Sequence, residues 1–469
     1  MNITQENIDE LNAKVTIEIQ PSDYENSVRS ILDGQRKKMT LQGFRPGKVP
    51  FGVAKKMYGK SVLAEELNRI LSEKLNSHIK DNELNIIGQP LPEDIEELEL
   101  DFNKTFEFKY QLGIAPSFEV ELSAKDKFNN YKIVVDDELV DKYVKDFQRR
   151  HGNSTEIDKV GAEDMIYGTI HELGKDGKRK EGGHHNHTTI AIDYLENKEA
   201  KKKLIGLEKG ATTKIEPAKL AKGDVDLSQM LGVPVSELES VAKEYELTID
   251  SINNIELHEL NTELFDKVVG PGNAKTVEEF RTKISLDLEN YLKGDSEKKL
   301  RRDIHDKLLE RQKLTLPDDF IKRWLLEQGA QNPEKPISQE DIDREYTDYS
   351  RMLKVQLIES QIAKQNEIKI EYTDIQARVK ENIKAQFASF GQGEVEDSML
   401  DQFAQNFLQK EEEVRKVYDQ LLDERMTEFY KNTVKLQEKE VTFDEFVKLA
   451  STKAGKGKFM DQVSNLLKF

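Results

Sequence analysis

The alternation of apolar and polar residues near the amino terminus predicts a small mixed domain. Residues 13–20 alternate in the pattern of a strand with one buried face. Helices follow, and residues 51–79 carry apolar side chains at the three-and-four spacing of an amphipathic helix. Alternating residues at 96–100 and 105–112 predict a closing hairpin. We therefore expect a compact α+β domain over residues 1–115.

The pattern changes twice along the rest of the chain. Residues 116–158 read as a connector, and short β-type segments with Gly-rich and Lys-rich loops between them fill residues 159–257. Helical spacing then dominates residues 258–469, and its apolar positions, including Leu286, predict helix–helix core. The predicted fold class is therefore α+β, multidomain and elongated, with a large all-α C-terminal domain that carries helical arms.

One helical segment is long enough to form an arm. Residues 394–436 include neither glycine nor proline. An unbroken helix of that length would extend roughly 60 Å. The glutamates within residues 410–413 mark a place where it is expected to break. Such a helix needs a partner along its apolar stripe, either within the chain or in a bound polypeptide.

Composition narrows the class of protein. The chain has 469 residues, a net charge of -18 and no cysteine, which excludes disulfides, thiolate nucleophiles and cysteine-ligated zinc. The acidic total argues against a general nucleic-acid binder. No stretch approaches the roughly 18 apolar residues of a membrane span, so we expect a cytoplasmic protein without a membrane partner.

A basic segment runs against this acidic background. Residues 34–64 contain eight lysines and arginines and no acidic residue. One interpretation is a solvated basic face on a pair of helices. The other is a docking site close to RNA, in which cations contact phosphates and Phe44 with Arg45 forms the anchor.

The loop inside this segment resembles a known family. Gly43-Phe44-Arg45-Pro46-Gly47-Lys48-Val49-Pro50 is similar to the signature loop of trigger factor, a bacterial ribosome-associated chaperone. Similar motifs occur at Leu260–Phe265, Leu314–Phe320 and Glu440–Phe446, so the resemblance covers nearly the whole chain. Pro46 stands where that family usually has a basic residue.

The resemblance implies an ATP-independent chaperone that binds nascent and unfolded polypeptides beside the ribosomal exit tunnel. Its expected partners are a protein at the tunnel rim and the adjacent rRNA, and it requires no cofactor. Whether the free protein forms a homodimer stays open. The residues that the resemblance assigns to ribosome docking are Gly43, Phe44, Arg45, Gly47 and Lys48.

The same resemblance places a peptidyl-prolyl isomerase domain of the FK506-binding type at residues 159–257. The segment 163–166 matches its scaffold, but residues 196–203 are mostly charged where an apolar, aromatic proline pocket is expected. Thr169 and Ile170 replace an Asp-Phe pair of that family. We therefore expect a degenerate domain with weak or no isomerase activity. The alternative is an active isomerase that acts on nascent or unfolded chains.

Large apolar side chains around Gly391 are candidates for contacts with bound polypeptides, because phenylalanine and methionine adapt to many partners. Ordinary core packing is the alternative for each of them. These candidates are Phe387, Phe390, Met399, Phe403 and Phe407.

No residues form a recognisable catalytic or metal-binding set. Tyr58-Gly59-Lys60-Ser61 ends like a phosphate loop but lacks the earlier glycine, since position 54 is alanine. His184-His185-Asn186-His187 lies in a Gly-rich turn without a second histidine cluster in the sequence, which is typical of a solvated loop. A nucleic-acid-binding protein and a purely structural helical scaffold remain rival classes, which ribosome binding separates from the chaperone.

Overall fold

The computed structural model describes residues 1–42, 44–45, 47–93, 100–174, 176–221, 223–233, 238, 241–330, 337–389 and 396–450. These residues form two compact units, each assembled from distant parts of the chain. The first comprises the described residues of Met1–Val120 and Leu308–Gln361. The second comprises those of Glu121–Lys307 and Ile362–Gly457.

The first unit begins with an antiparallel sheet in the order β1-β2-β4-β3. Its strands are β1 (Asn2–Asn7), β2 (Asn12–Ile19), β3 (Ile86–Pro92) and β4 (Phe106–Ile114). Two helices, α1 (Pro21–Lys38) and α2 (Phe51–Asp81), pack against it. Val15, Ile17 and Ile19 are fully buried, as the alternating pattern predicts. Sheet and helices thus share one core, which holds the ends of the connecting loop in place.

A prediction for this region lies mostly outside the described residues, and one for the later helical region was wrong. Strand β4 pairs antiparallel with both β2 and β3, and the strand predicted at 96–100 cannot be compared with this sheet. Leu100 lies outside any strand, and residues 96–99 fall outside the described part of the chain. Gly88, Pro90 and Pro92 obscured the sequence pattern of β3, and a register irregularity between Ile87 and Leu91 interrupts its pairing. Leu286, predicted as core, is 49% exposed, since helical spacing does not say how wide the buried stripe is.

Two further helices complete the first unit. They are α9 (Asp318–Ala330) and α10 (Gln339–Gln365), the last residues of which belong to the second unit. Trp324 is 2% exposed and packs in one cluster with Ile87 and Leu91 of β3. The buried residues of this second core are different from those of the sheet–helix core at the amino terminus.

A five-stranded sheet organises the middle of the chain. Its strands are β6 (Asn153–Ile157), β7 (Met165–Glu172), β8 (His185–Ala191), β9 (Thr212–Ile215) and β10 (Tyr245–Glu256). The order is β6-β10-β7-β8, and β9 also pairs with β10. Short helices, α4 (Lys198–Leu204), α5 (Pro217–Leu220) and α6 (Asp224–Leu231), accompany it. The predicted β-rich segments are therefore confirmed.

Helices dominate the remainder of the second unit. They are α3 (Asp137–Arg150), α7 (Thr262–Val269), α8 (Val277–Gln312), which extends into the first unit, α11 (Tyr372–Ser389), α12 (Asp397–Leu408), α13 (Glu411–Thr433) and α14 (Phe443–Ala450). The predicted break in the long segment is confirmed, because α12 ends at Leu408 and α13 begins at Glu411. In the part of the chain that the structure describes, no helix is long and apolar enough to cross a membrane.

One strand in the helical region was not predicted. Strand β11 (Lys435–Val441) pairs in parallel with β5 (Lys127–Ile133) in a two-stranded sheet. Most of β11 is exposed and charged, so the sequence lacked the apolar signal of a strand. Phe446 of α14 is buried beside Ile133, which anchors the end of the described chain to the same place.

Candidate docking and polypeptide-binding sites

The candidate docking loop spans residues 39–50 and joins α1 to α2. Short backbone hydrogen bonds close it upon itself. Phe44 N–H donates to Leu41 O at 3.0 Å, and Lys48 N–H donates to Arg45 O at 2.9 Å. Gly47 N–H reaches back to Met39 O at 3.2 Å, which ties the far side of the loop to the end of α1. The loop is thus a set of tight turns.

Two residues fix the base of this loop. Gly47 has φ +76, and a Cβ there would lie 3.0 Å from the Lys37 carbonyl oxygen. Both facts favour glycine, because L side chains rarely adopt this conformation. Val49 is fully buried and anchors the return of the chain into α2. The side chains at the tip are therefore held by a short, constrained frame.

The predicted docking residues lie together and point outward. Phe44 is 40% exposed, and Arg45 and Lys48 are also exposed. Gly43, a predicted docking residue, and Pro46 lie outside the described residues. An aromatic side chain beside cations, with little backbone freedom to lose, is the arrangement expected of an interface anchor.

Some cations of the basic segment contact other side chains, and others are exposed to solvent. Arg36 pairs with Asp33 across one helical turn at 3.1 Å, so it is neutralised within α1. Lys55 lies 4.0 Å from the centroid of the Phe102 ring. Lys37, Lys38, Lys56 and Lys60 are exposed. The positive surface thus extends from the end of α1 into the first turns of α2.

Sequence reasoning missed two apolar residues next to this loop. Met57 is 50% exposed and Tyr58 is 40% exposed, both within the first turns of α2. Their helical positions could have indicated this exposure, because they do not fall on the buried stripe formed by Ala54, Val62 and Leu63. They enlarge the apolar part of the candidate docking surface beyond Phe44.

The second candidate site is a cavity of about 460 Å³ between α11 and α12, which we call the aromatic pocket. It brings together three of the five predicted polypeptide-binding residues. The rings of Phe387 and Phe403 meet at 5.6 Å between centroids. The pocket is lined by Ile383, Gln386, Phe387, Phe403, Asn406, Phe407 and Lys410.

The other two predicted residues are not part of this lining. Met399 is 48% exposed on α12 but does not line the pocket, and Phe390 lies outside the described residues. Phe403 is 44% exposed despite its aromatic contact, so its outer face is available to a bound chain. Ile383 was missed, although its place four residues before Phe387 gave a usable signal.

A rigid base supports the aromatic pocket. Val379, Ala404 and Val417 are buried together where α11, α12 and α13 meet. Arg378 of α11 donates two hydrogen bonds to Glu424 of α13, at 2.7 and 2.6 Å. The guanidinium holds the pKa of the Glu424 carboxyl below its ordinary value. A paired Lys380 and Asp401 link α11 to α12.

The isomerase-like sheet carries a different kind of cavity. It has a volume of about 160 Å³, and five lysine and glutamate side chains contribute to its wall. Residues 196 and 197 precede α4 and residues 198–203 form all of it except Leu204; the Asn197 side chain caps the helix by accepting hydrogen bonds from Glu199 N–H and Ala200 N–H. Ile170 is fully buried in the core instead of lining a pocket. The residues that line this cavity are Asn197, Glu199, Ala200, Lys203, Leu204, Lys214, Ile215, Glu216, Lys219 and Leu220.

A constrained basic loop on one unit and an aromatic pocket on the other are typical of a multidomain protein that binds polypeptides. Three protein-family models match successive parts of the chain. Residues 1–147 match the bacterial trigger factor protein model, residues 154–257 the FKBP-like domain of probable trigger factor, and residues 296–450 its C-terminal domain. The chain belongs to the trigger factor family, which confirms the predicted family and the α+β fold class.

Curated relatives match over most of their length. Trigger factor of Chloroherpeton thalassium is 24% identical over 437 residues, which cover 90% of this chain and 95% of the relative. Trigger factor of Chlorobaculum tepidum is 25% identical over 388 residues, or 80% and 85% of the two chains. An alignment with a solved structure of the trigger factor chaperone covers 92% of this chain and 99% of that chain, at 15% sequence identity and a TM-score of 0.38.

Proposed function

We propose that this protein is an ATP-independent, ribosome-associated molecular chaperone of the cytoplasm that binds nascent polypeptides at the exit tunnel and assists their folding. The observation that carries the proposal is the exposed Phe44 and Arg45 pair on a constrained, basic loop. Family membership over three successive domains supports the same function. The proposed residue ranges remain 1–115 for ribosome binding, 116–158 for the connector, 159–257 for the isomerase-like domain and 258–469 for the chaperone domain.

Docking follows from the chemistry of the loop. Phe44 offers an apolar side chain to a pocket on a protein at the tunnel rim, while Arg45 and Lys48 face rRNA phosphates. Since the turn at Gly47 and the buried Val49 constrain the loop, its residues lose little conformational entropy on binding. The phosphate contacts release counterions, so affinity for ribosomes falls as the salt concentration rises.

Holding of polypeptides follows from the aromatic pocket. A volume of about 460 Å³ lies in the range of ordinary ligand sites, and here it accommodates a few large apolar side chains. Three phenylalanines and Ile383 supply adaptable apolar contact, while Gln386 and Asn406 offer hydrogen bonds to a passing backbone. Such a lining selects apolar segments without selecting one sequence.

A photo-crosslinking amino acid placed in the aromatic pocket tests this site. At position 403 it is expected to crosslink to an apolar nascent chain on stalled ribosomes well above background. Position 372 is the matched control, because Tyr372 is 57% exposed on α11 and does not line the pocket. Equal crosslinking yields at the two positions would remove the pocket from the proposal.

The isomerase-like sheet is proposed to retain its fold without efficient catalysis. Rotation about an X-Pro bond is promoted by a dry, apolar pocket, because a barrier near 20 kcal/mol must be lowered for a twisted amide. The described cavity beside α4 instead combines Leu204, Ile215 and Leu220 with five charged side chains, those of Glu199, Lys203, Lys214, Glu216 and Lys219. These charges favour water, and no aromatic side chain is among the described residues that line the cavity, so an X-Pro peptide gains little by entering.

A further inference from the structure

The sheet of the isomerase-like domain brings a third histidine to the His-rich turn. Strands β7 and β8 are antiparallel, and their register places His171 directly opposite His185. The two imidazole rings lie 5.9 Å apart between centroids and are nearly parallel, at 15°. His187 follows His185 by two residues on the same strand, so its side chain belongs to the same face of the sheet. The sequence alone did not reveal this cross-strand partner.

The spacing of the rings fits a shared metal ion. Zinc binds an imidazole nitrogen at about 2.0–2.1 Å, so two rings on one ion have centroids no more than about 6.4 Å apart. The observed 5.9 Å lies within that limit. Moreover, His171 Nδ1 is shielded from solvent and has no hydrogen-bond partner among the described residues. An orphaned nitrogen of this kind requires an explanation, and a bound ion would supply one.

The neighbouring polar residues set the tautomer of His187. Thr169 Oγ1 donates its only hydrogen to Asp250 Oδ2 at 2.8 Å, and it lies 2.9 Å from His187 Nδ1. Because that hydroxyl has no second hydrogen, His187 Nδ1 must carry the proton and donate to Thr169. In the neutral imidazole, the lone pair of His187 then lies on Nε2. A ligating histidine whose other nitrogen is held through a carboxylate is a recurring feature of metal sites.

We propose that His171 and His185, with His187 as a third ligand, bind one divalent transition-metal ion of the zinc and copper class. Imidazole nitrogen is a preferred ligand of these ions. Among the described residues no three donors converge as the side chains stand, so binding requires rotation of the exposed His185 and His187 side chains. Arg179 lies nearby, but its charge is neutralised by a hydrogen bond to Glu246. This proposal replaces our expectation that the chain has no metal site.

Calorimetric titration of the full-length protein with ZnCl₂ tests the site. The unchanged protein is expected to bind one ion, while His171→Gln and His185→Gln abolish that binding. Thr169→Val should weaken it about tenfold, because the orientation of His187 is lost but the ligands remain. His151→Gln is the matched control, since His151 is an exposed histidine at the end of α3 and should leave binding unchanged.

The imidazole resonances of the same protein give a second measurement. Added Zn²⁺ is expected to shift or broaden the signals of His171, His185 and His187 together, and to leave that of His151 in place. Circular dichroism checks that each variant is folded. Binding by His171→Gln with the stoichiometry and affinity of the unchanged protein would overturn the proposal, as would a uniform response of all histidine signals.

Discussion

At the scale of single residues, Gly47 determines the shape of the docking loop. Its φ of +76 is a conformation that an L side chain adopts only with strain. The Lys37 carbonyl oxygen would lie 3.0 Å from an added Cβ, so backbone, not a flexible side chain, would have to give way. The position of Phe44 and Arg45 therefore depends on a residue that contacts no partner itself.

Gly47→Ala is expected to distort the loop and weaken ribosome binding. Strain at such a position costs of order 1–3 kcal/mol, which the chain relieves by rearranging the turn. Ribosome co-sedimentation should show a several-fold loss, with little change in the melting of the rest of the protein.

Gly34→Ala provides the control for this prediction. Gly34 lies in α1 with no atom within 4 Å of an added Cβ, so alanine should stabilise the helix slightly and leave docking intact. If Gly47→Ala pellets with ribosomes as well as Gly34→Ala does, the strained turn has no part in docking.

The exposure of the candidate docking residues was predictable from the sequence because its signal is local. Turn-forming residues, an aromatic and cations all lie within one short loop, and Phe44 with Arg45 is exposed as expected. Exposure elsewhere depends on neighbours that are distant in sequence. Ile31 of α1 is 37% exposed, while its apolar neighbours Tyr24, Val28 and Leu32 on the same helix are buried. The width of a buried stripe is set by the partner that covers it.

At the scale of elements, the ion pair between α11 and α13 holds the base of the aromatic pocket. Arg378 binds Glu424 through both nitrogens of its fork, a geometry that gives stronger pairing than a single contact. Glu424 is 48% exposed, so solvent screens part of the attraction. The pair is therefore expected to stabilise this helix packing by about 1 kcal/mol or less.

The pH dependence of Glu424→Gln tests the contribution of this pair. Because Arg378 lowers the pKa of Glu424 in the folded protein, the stabilisation is present above the ordinary pKa of 4.5 and is lost as the pH falls through the folded value. Urea unfolding should show the variant less stable at pH 7 and equal to the unchanged protein near pH 3. Glu413→Gln, in an exposed pair within α13, serves as the control with a smaller effect. A constant difference at both pH values would contradict this assignment.

The charged cavity beside α4 leads to a prediction about catalysis. The full-length protein is expected to accelerate isomerisation of a proline-containing tetrapeptide only weakly, since half of the residues that line the described cavity are lysines and glutamates and none is aromatic. Protease-coupled kinetics would measure the rate, with an active FK506-binding isomerase as the positive control. Catalysis at the efficiency of that enzyme would favour the alternative function.

Elements with strong periodicity were predictable, whereas long-range pairing was not. The alternation in β2 and the helical spacing in α2 gave those elements nearly their observed bounds. Strand β11 escaped notice because its partner β5 lies about 300 residues earlier and both carry many polar residues. The aromatic pocket falls between these cases. Its phenylalanines were identifiable, but their meeting depends on the packing of α11 against α12.

At the scale of the whole molecule, each unit is assembled from segments that are far apart in the chain. The first unit joins the described residues of Met1–Val120 to those of Leu308–Gln361, and Trp324 packs in one cluster with Ile87. The local pattern of apolar and polar residues does not reveal which distant segments pack together, because that packing depends on long-range contacts. The same organisation places the docking loop and the aromatic pocket in different units.

Net charge also acts at this scale. A molecule of charge -18 is repelled by a ribosome rich in phosphate, so attraction has to be confined to a local basic surface. The exposed cations from the end of α1 into α2 provide that surface. If the proposed docking holds, this arrangement makes it specific, since the rest of the protein disfavours contact with RNA.

Ribosome co-sedimentation of the Phe44→Ala plus Arg45→Ala variant tests the central claim most directly. The matched control is Tyr291→Ala plus Lys293→Ala, which removes an exposed aromatic and a cation from α8. The unchanged protein and the control are expected to pellet with ribosomes at moderate salt, while the loop variant stays in the supernatant. If the loop variant pellets as fully as the control does, ribosome docking through this loop is contradicted.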